Sequence, residues 1–142
     1  MARASMDPRL AAAAKAARAK AHAPYSKFKV GAAILADDGK IYGGCNVENA
    51  AYPNGVCAET SAISAMVLGG SKRIREIAVI GSGSNLVTPC GGCRQRIAEF
   101  ATADTPVHIV GPRGVGPRGP RATFTIADLL PESFGMKNLK QK

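Results

Sequence analysis

The 142-residue chain carries 19 Lys and Arg against 10 Asp and Glu, a net charge of +9, with 46% hydrophobic and 5% aromatic residues. That length fits a single domain over residues 1–142 with a real core, and no apolar run is long enough to span a bilayer. Base-stacking surfaces interleave aromatics with their positive charge. Here the basic residues are scattered over the first helix, a Gly/Pro/Arg loop and the tail, which argues for a solvated surface and against nucleic acid.

The first predicted element is an alanine-rich helix from Pro8 to Ala21, with Leu10, Ala13, Ala14, Ala17 and Ala21 forming an apolar stripe. Arg3, Asp7, Arg9, Lys15, Arg18 and Lys20 break this start into something unlike a signal peptide, so a cytoplasmic location is expected. Pro24 ends the helix, because proline disfavours helix in the residue before it. A strand over 28–35, a tight turn over 37–40 and a second strand over 41–47 then predict an antiparallel hairpin. A loop over 48–55 leads to a helix from Cys57 to Leu68, with Gly69 and Gly70 as a left-handed stop. Ile77–Ile80 and Val107–Val110 are continuous apolar runs, as expected of strands covered on both faces. Between them, Thr88-Pro89 opens a helix that buries Ile97 and Phe100.

Residues 111–120 are rich in Gly, Pro and Arg with no periodicity and read as a long exposed hairpin loop, the rival reading being a binding arm for an acidic partner. A strand over 122–124 follows, then a capping-box start at Thr125–Asp128 for a short helix that Pro131 stops. No internal repeat is expected. Strands interleaved with helices imply a mixed sheet covered on both faces.

The chemistry is concentrated in Cys57-Ala58-Glu59 and Pro89-Cys90-Gly91-Gly92-Cys93. Three thiols at helix starts can bind Zn²⁺ tetrahedrally and leave the fourth position for water. A helix N-terminus favours the thiolate, because its unpaired N–H groups and dipole stabilise negative charge. Glu59, two residues after the first thiol, is placed to move the protons of that water. A ligand-x-Glu segment with a downstream Pro-Cys-x-x-Cys is the pattern of zinc deaminases acting on nucleobases, here in a three-cysteine version. The competing reading is a closed structural site with Cys45 as fourth ligand, but the usual two C-x-x-C pairs are absent. His22 and His108 read as satisfied polar residues rather than ligands. Three thiolates exceed the charge of one Zn²⁺ by a unit, and Arg94, next to Cys93, is expected to donate to a ligand sulfur, that of Cys57 first.

Ordered over nearly the whole chain, further segments surround these motifs. They are Ala23-Pro24-Tyr25-Ser26, Phe28-x-Val30-Gly31-Ala32, Gly44-x-Asn46-Val47-Glu48-Asn49-Ala50, Pro89 through Gln95, and Leu129-Leu130-Pro131-x-x-Phe134. In these the sequence closely resembles the homotetrameric cytidine deaminase family. The resemblance implies a three-layer α/β/α sandwich around a five-stranded mixed sheet, and a tetramer with active sites shared between subunits. It implies Cys57, Cys90 and Cys93 as zinc ligands and Glu59 as proton shuttle. Asn46 and Glu48 match the ribose-binding pair, Phe28 a residue packing near the base, and Ala58 a backbone contact to the pyrimidine edge. Tyr52 and Phe134 match aromatics supplied by neighbouring subunits. The implied reaction is hydrolytic deamination of cytidine and 2′-deoxycytidine in pyrimidine salvage. Rival readings are the same chemistry on another aminopyrimidine, a deaminase of polynucleotides, and a nucleic-acid-binding zinc module. Many members carry arginine after the catalytic glutamate, whereas this chain has Thr60.

Overall fold

The computed structural model describes residues 5–140. Helix α1 spans Pro8–Ala19, with Asp7 as N-cap accepting from the Arg9 N–H and proline at the first turn. The hairpin forms as expected from β1 (Gly31–Ala36) and β2 (Ile41–Cys45), joined by a turn in which Gly39 has φ +81°. Helix α2 (Ala58–Leu68) precedes β3 (Ile74–Ile80), and α3 (Gly91–Glu99) precedes β4 (Pro106–Val110). The chain closes with β5 (Ala122–Thr125), α4 (Ile126–Leu129) and α5 (Met136–Leu139). Sheet order is β2-β1-β3-β4-β5, with β3 and β4 parallel and the other neighbours antiparallel.

Two apolar clusters lie on opposite faces of this sheet. Ala33, Leu35, Ala78, Ile80 and Val110 meet Leu10 and Ala14 of α1. Ala32, Ile34, Ile77, Val79, Val107 and Ile109 meet α2, Ile97 of α3 and Ile126 of α4. Alternate strand residues thus feed opposite cores, which is why β1 is buried at all six positions and shows no polar alternation. The result is the expected three-layer sandwich. Two glycines set the spacing between layers. A Cβ on Gly31 would lie 2.1 Å from the Ala14 carbonyl oxygen, and one on Gly44 would lie 2.3 Å from the Ala62 amide nitrogen. Gly44 therefore lets α2, the helix that begins at Cys57, lie directly on the sheet.

Several boundaries differ from expectation for local reasons. The first strand starts at Gly31 rather than Phe28, because Phe28 and Val30 pair with a side chain: Asn46 Nδ2 donates to the Phe28 carbonyl and Oδ1 accepts from the Val30 N–H, both at 2.8 Å. The second strand stops at Cys45, and Val47 makes isolated bridges to His22 and Val56 instead. The left-handed residue after α2 is Gly70, at φ +95°, while Gly69 stays right-handed. The capping box at Thr125 and Asp128 forms as read, with both reciprocal hydrogen bonds present.

Contrary to the expectation of no repeat, residues 111–120 contain one. Gly-Pro-Arg-Gly occurs at 111–114 and again at 116–119, and each copy folds into the same turn. The Gly114 N–H donates to Gly111 O at 2.8 Å and the Gly119 N–H to Gly116 O at 3.0 Å, with both second glycines at positive φ. Proline at the second turn position and glycine at the fourth is a type I turn preference, repeated here after five residues.

His108 is fully buried on β4 and is satisfied rather than ligating. Its Nε2 lies 2.9 Å from Glu76 Oε1, and its Nδ1 lies 2.9 Å from Thr123 Oγ1. The same Glu76 oxygen accepts the Asp7 N–H at 3.1 Å, so the pair ties three strands to the start of α1. Burial holds the imidazole below its usual pKa despite the neighbouring carboxylate, so the fold favours neutral His108. The unfolded chain takes up that proton near pH 6.5, so this stabilisation is complete above about pH 6.5 and is lost as pH falls through the folded-state value. Denaturant unfolding from pH 8 to 5.5 is expected to show that loss, and His108→Gln to flatten it. Identical pH slopes for the two proteins would contradict this reading of the network.

Candidate metal centre

Cys57 is the N-cap of α2, and Cys90 is the N-cap of α3 with Cys93 three residues on. Both caps have extended backbone, which turns each thiol across the mouth of its helix. The three sulfurs lie within 4.8 Å of one another, with Cys57 and Cys90 separated by 3.9 Å. Tetrahedral zinc–thiolate bonds of about 2.3 Å place sulfurs roughly 3.8 Å apart, so the donor set fits zinc in both chemistry and spacing. Cys93 is buried and Cys90 exposed, so the cluster has one solvent-facing side. Cys45 is not part of it, which removes the closed four-cysteine arrangement from the fold as it stands.

The thiols are unequal. Burial pushes the Cys93 thiol up to about 12 and raises that of Cys57, whereas the Cys93 backbone N–H, donating to the Cys90 sulfur, lowers Cys90. Without a cation the two more buried sulfurs keep their protons, and zinc binding must release them. Glu59 is only 5% exposed, and burial holds its carboxyl above the usual carboxylate range. Such a group exchanges a proton nearer neutrality than a solvated glutamate does.

Arg94 is not where charge balance placed it. Its Nε donates to Pro89 O at 2.7 Å, Nη1 to Leu129 O at 3.0 Å and Nη2 to Thr88 Oγ1 at 3.1 Å. The guanidinium therefore braces the loop before Cys90 against the end of α4, and none of these bonds reaches a sulfur. A hydroxyl that does reach a ligand sulfur is that of Thr60, whose Oγ1 lies 3.7 Å from Cys93 Sγ.

Beside the sulfurs lies a cavity of about 530 Å³ whose lining includes Tyr25, Ser26, Asn46, Glu48, Tyr52 and Cys57. Glu48 accepts from the Tyr25 and Ser26 N–H groups at 2.9 and 3.1 Å and from the Ser26 hydroxyl, which holds its carboxyl below the usual range. Ser26 Oγ in turn accepts the Phe28 N–H at 3.0 Å. The expected pair Asn46 and Glu48 is thus brought together with Cys57, while Asn46 spends one donor and one acceptor on the backbone around Phe28. Ala58, the first residue of α2, is fully buried beside them. Tyr25 and Ser26 carried no assigned role in sequence, although they stand in one of the recognised segments.

Phe28 is 41% exposed and lines a different cavity, with residues 82–88. Phe134 is 60% exposed and does not line the Glu48 cavity; its carbonyl accepts from Gln95 Nε2 at 2.9 Å. Tyr52 is 75% exposed, its ring edge-on to Tyr25 with centroids 6.0 Å apart. One chain therefore assembles the three sulfurs, Glu59 and the Asn46–Glu48 cavity, and leaves Phe28 and Phe134 outside that cavity's lining.

Residues 4–109 match the family model of the cytidine and deoxycytidylate deaminase zinc-binding region, which takes in Cys57, Glu59, Cys90 and Cys93. The chain belongs to the zinc-dependent cytidine deaminase family. It is 44% identical over 131 residues to a cytidine deaminase of Sporosarcina psychrophila, covering 92% of this chain and 93% of that one. A cytidine deaminase of Mycobacterium tuberculosis is 38% identical over 127 residues, covering 89% and 87%. The crystal structure of cytidine deaminase from Burkholderia pseudomallei superimposes with a TM-score of 0.81 at 40% identity, covering 92% of this chain and all of that one. The family's zinc and the sulfur triad agree, and the mixed five-stranded sheet is the family's fold. This family member also has no helix among its described residues long and apolar enough to cross a membrane.

Proposed function

We propose that the protein hydrolyses cytidine and 2′-deoxycytidine to uridine and 2′-deoxyuridine, releasing ammonia, as a cytoplasmic enzyme of pyrimidine salvage. The observation that carries this reading is the joining of a buried carboxyl, three zinc-spaced sulfurs and a cavity holding Asn46 and Glu48. A carboxylate and an amide suit sugar hydroxyls, which a bare base lacks. Ser26 and the two backbone N–H groups hold the Glu48 carboxylate ready to accept from them.

Cys57, Cys90 and Cys93 would hold zinc, which when bound would make water more acidic and stabilise negative charge developing on oxygen. Glu59 takes a proton from the attacking water and gives it to ring N3, which makes C4 electrophilic as the water oxygen adds there. It then takes the proton of the hydroxyl added at C4 and passes it to the amino group, which leaves as ammonia. Burial of Glu59 suits both duties, since one carboxyl must accept and release protons at the same pH. By the family resemblance Ala58 offers backbone at the pyrimidine edge, and Phe28, which in one chain lines a cavity with residues 82–88, is assigned to the base.

A homotetramer with shared sites completes this account. Exposed Tyr52 and Phe134 are large side chains with little to cover them in one chain, and each suits a neighbouring subunit's pocket. In this reading the whole of residues 1–142 acts as one domain.

Ammonia release over a panel of nucleosides, bases, nucleotides and oligonucleotides tests the substrate class. Turnover of cytidine and deoxycytidine, with little on cytosine, is expected; turnover confined to oligonucleotides would overturn the proposal. Glu59→Ala is expected to keep stoichiometric zinc while losing roughly 10²–10⁴-fold in kcat, and retained activity would remove Glu59 from the mechanism. Mixing inactive Glu59→Ala and Phe134→Ala proteins under subunit exchange is expected to restore part of the activity. Hybrids without any activity would contradict shared sites.

A further inference from the structure

The ligand sulfurs present a charge problem that their surroundings must answer. Three thiolates with one Zn²⁺ leave a net charge of −1, and the buried Glu59 carboxyl stands beside them. Arg94, the cation adjacent in sequence, spends its three donor nitrogens on Pro89 O, Leu129 O and Thr88 Oγ1. None of these three bonds reaches a sulfur, and backbone dipoles act on the cluster directly. The Cys90 sulfur accepts the Cys93 backbone N–H, and both helices direct their N-termini at the cluster. Cys93 is the most buried of the three sulfurs, and the Thr60 hydroxyl lies 3.7 Å from it.

We infer that Thr60 is a positioning residue for the metal, its hydroxyl donating a hydrogen bond to the Cys93 thiolate and so fixing how strongly that sulfur holds zinc. This rests on the zinc reading of the triad. In the free protein either atom can donate across this contact. A zinc-bound thiolate has no proton, so once metal is bound the hydroxyl must be the donor. The two groups are held for it by equivalent framework positions: Thr60 stands three residues after the Cys57 cap of α2, and Cys93 three residues after the Cys90 cap of α3. Neither helix needs to move. A hydroxyl withdraws electron density from sulfur without adding a charge, so the centre keeps its negative unit and still gains a donor at its most buried sulfur.

Thr60→Val removes the hydroxyl while keeping the branched shape, and Thr60→Ser keeps the hydroxyl. Zinc content, the rate of zinc transfer to a chromogenic chelator, and the thiolate-to-metal charge-transfer band of the cobalt-substituted protein are measured for all three proteins. Loss of such a partner to a metal ligand typically costs 10–100-fold in affinity, so Thr60→Val is expected to release zinc about tenfold faster. Its cobalt charge-transfer band is expected at lower energy, because a sulfur without its donor gives up electrons more easily. Thr60→Ser is expected to match the wild type in both. If Thr60→Val does not fold, Thr60→Ala set against Thr60→Ser makes the same comparison. Full zinc occupancy in all proteins, with release rates and cobalt spectra unchanged by loss of the hydroxyl, overturns this inference and leaves the zinc site standing. A wild-type protein that takes up no zinc overturns the metal reading and this inference together.

Discussion

Two helix N-termini meet at one cluster of sulfurs, and the rest of the architecture serves that meeting. Helix α2 reaches it because Gly44 allows its backbone to sit against β2, and α3 reaches it from the end of β3. Each helix brings unpaired N–H groups and the positive end of its dipole, so the fold supplies partial positive charge before any ion arrives. That arrangement is also costly without metal, since burial keeps the Cys57 and Cys93 thiols protonated. Zinc binding and formation of the active geometry are therefore linked through proton release.

The same burial divides the labour among the acids. Glu59 lies on α2 between two metal-side residues and is shielded from solvent, which raises its affinity for a proton. Glu48 lies at the rim of the cavity, where two backbone N–H groups and the Ser26 hydroxyl keep it ionised. One carboxyl is thus tuned to exchange protons and the other to accept hydrogen bonds as an anion. Their difference comes from position on the fold rather than from residue type.

The three-sulfur cluster was legible in sequence because cysteine spacing at a helix start is a local property, set within a few residues. The same is true of the Thr125 capping box and the turn at Gly39. The partners of Arg94 were not legible, since Leu129 lies 35 residues away and its carbonyl becomes an acceptor only when α4 packs against α3. Charge balance points Arg94 at a ligand sulfur, but its observed bonds go to the Pro89 and Leu129 carbonyls and the Thr88 hydroxyl instead. The Asn46 clamp on Phe28 and Val30 depends on the β1–β2 pairing and shortened a strand that local propensity extended. The doubled Gly-Pro-Arg-Gly turn was visible in the letters, but two copies are too few to stand out as a repeat. Helix α5 spans only four residues, below what periodicity can register.

The account turns on an open metal position: three sulfurs around zinc, with the fourth place left to water within reach of Glu59. X-ray absorption at the zinc edge of the purified protein tests this directly. It is expected to show three sulfur neighbours at about 2.3 Å and one lighter neighbour at about 2.0 Å. Four sulfurs, which would bring Cys45 into the shell, or a protein that holds no zinc, would contradict it.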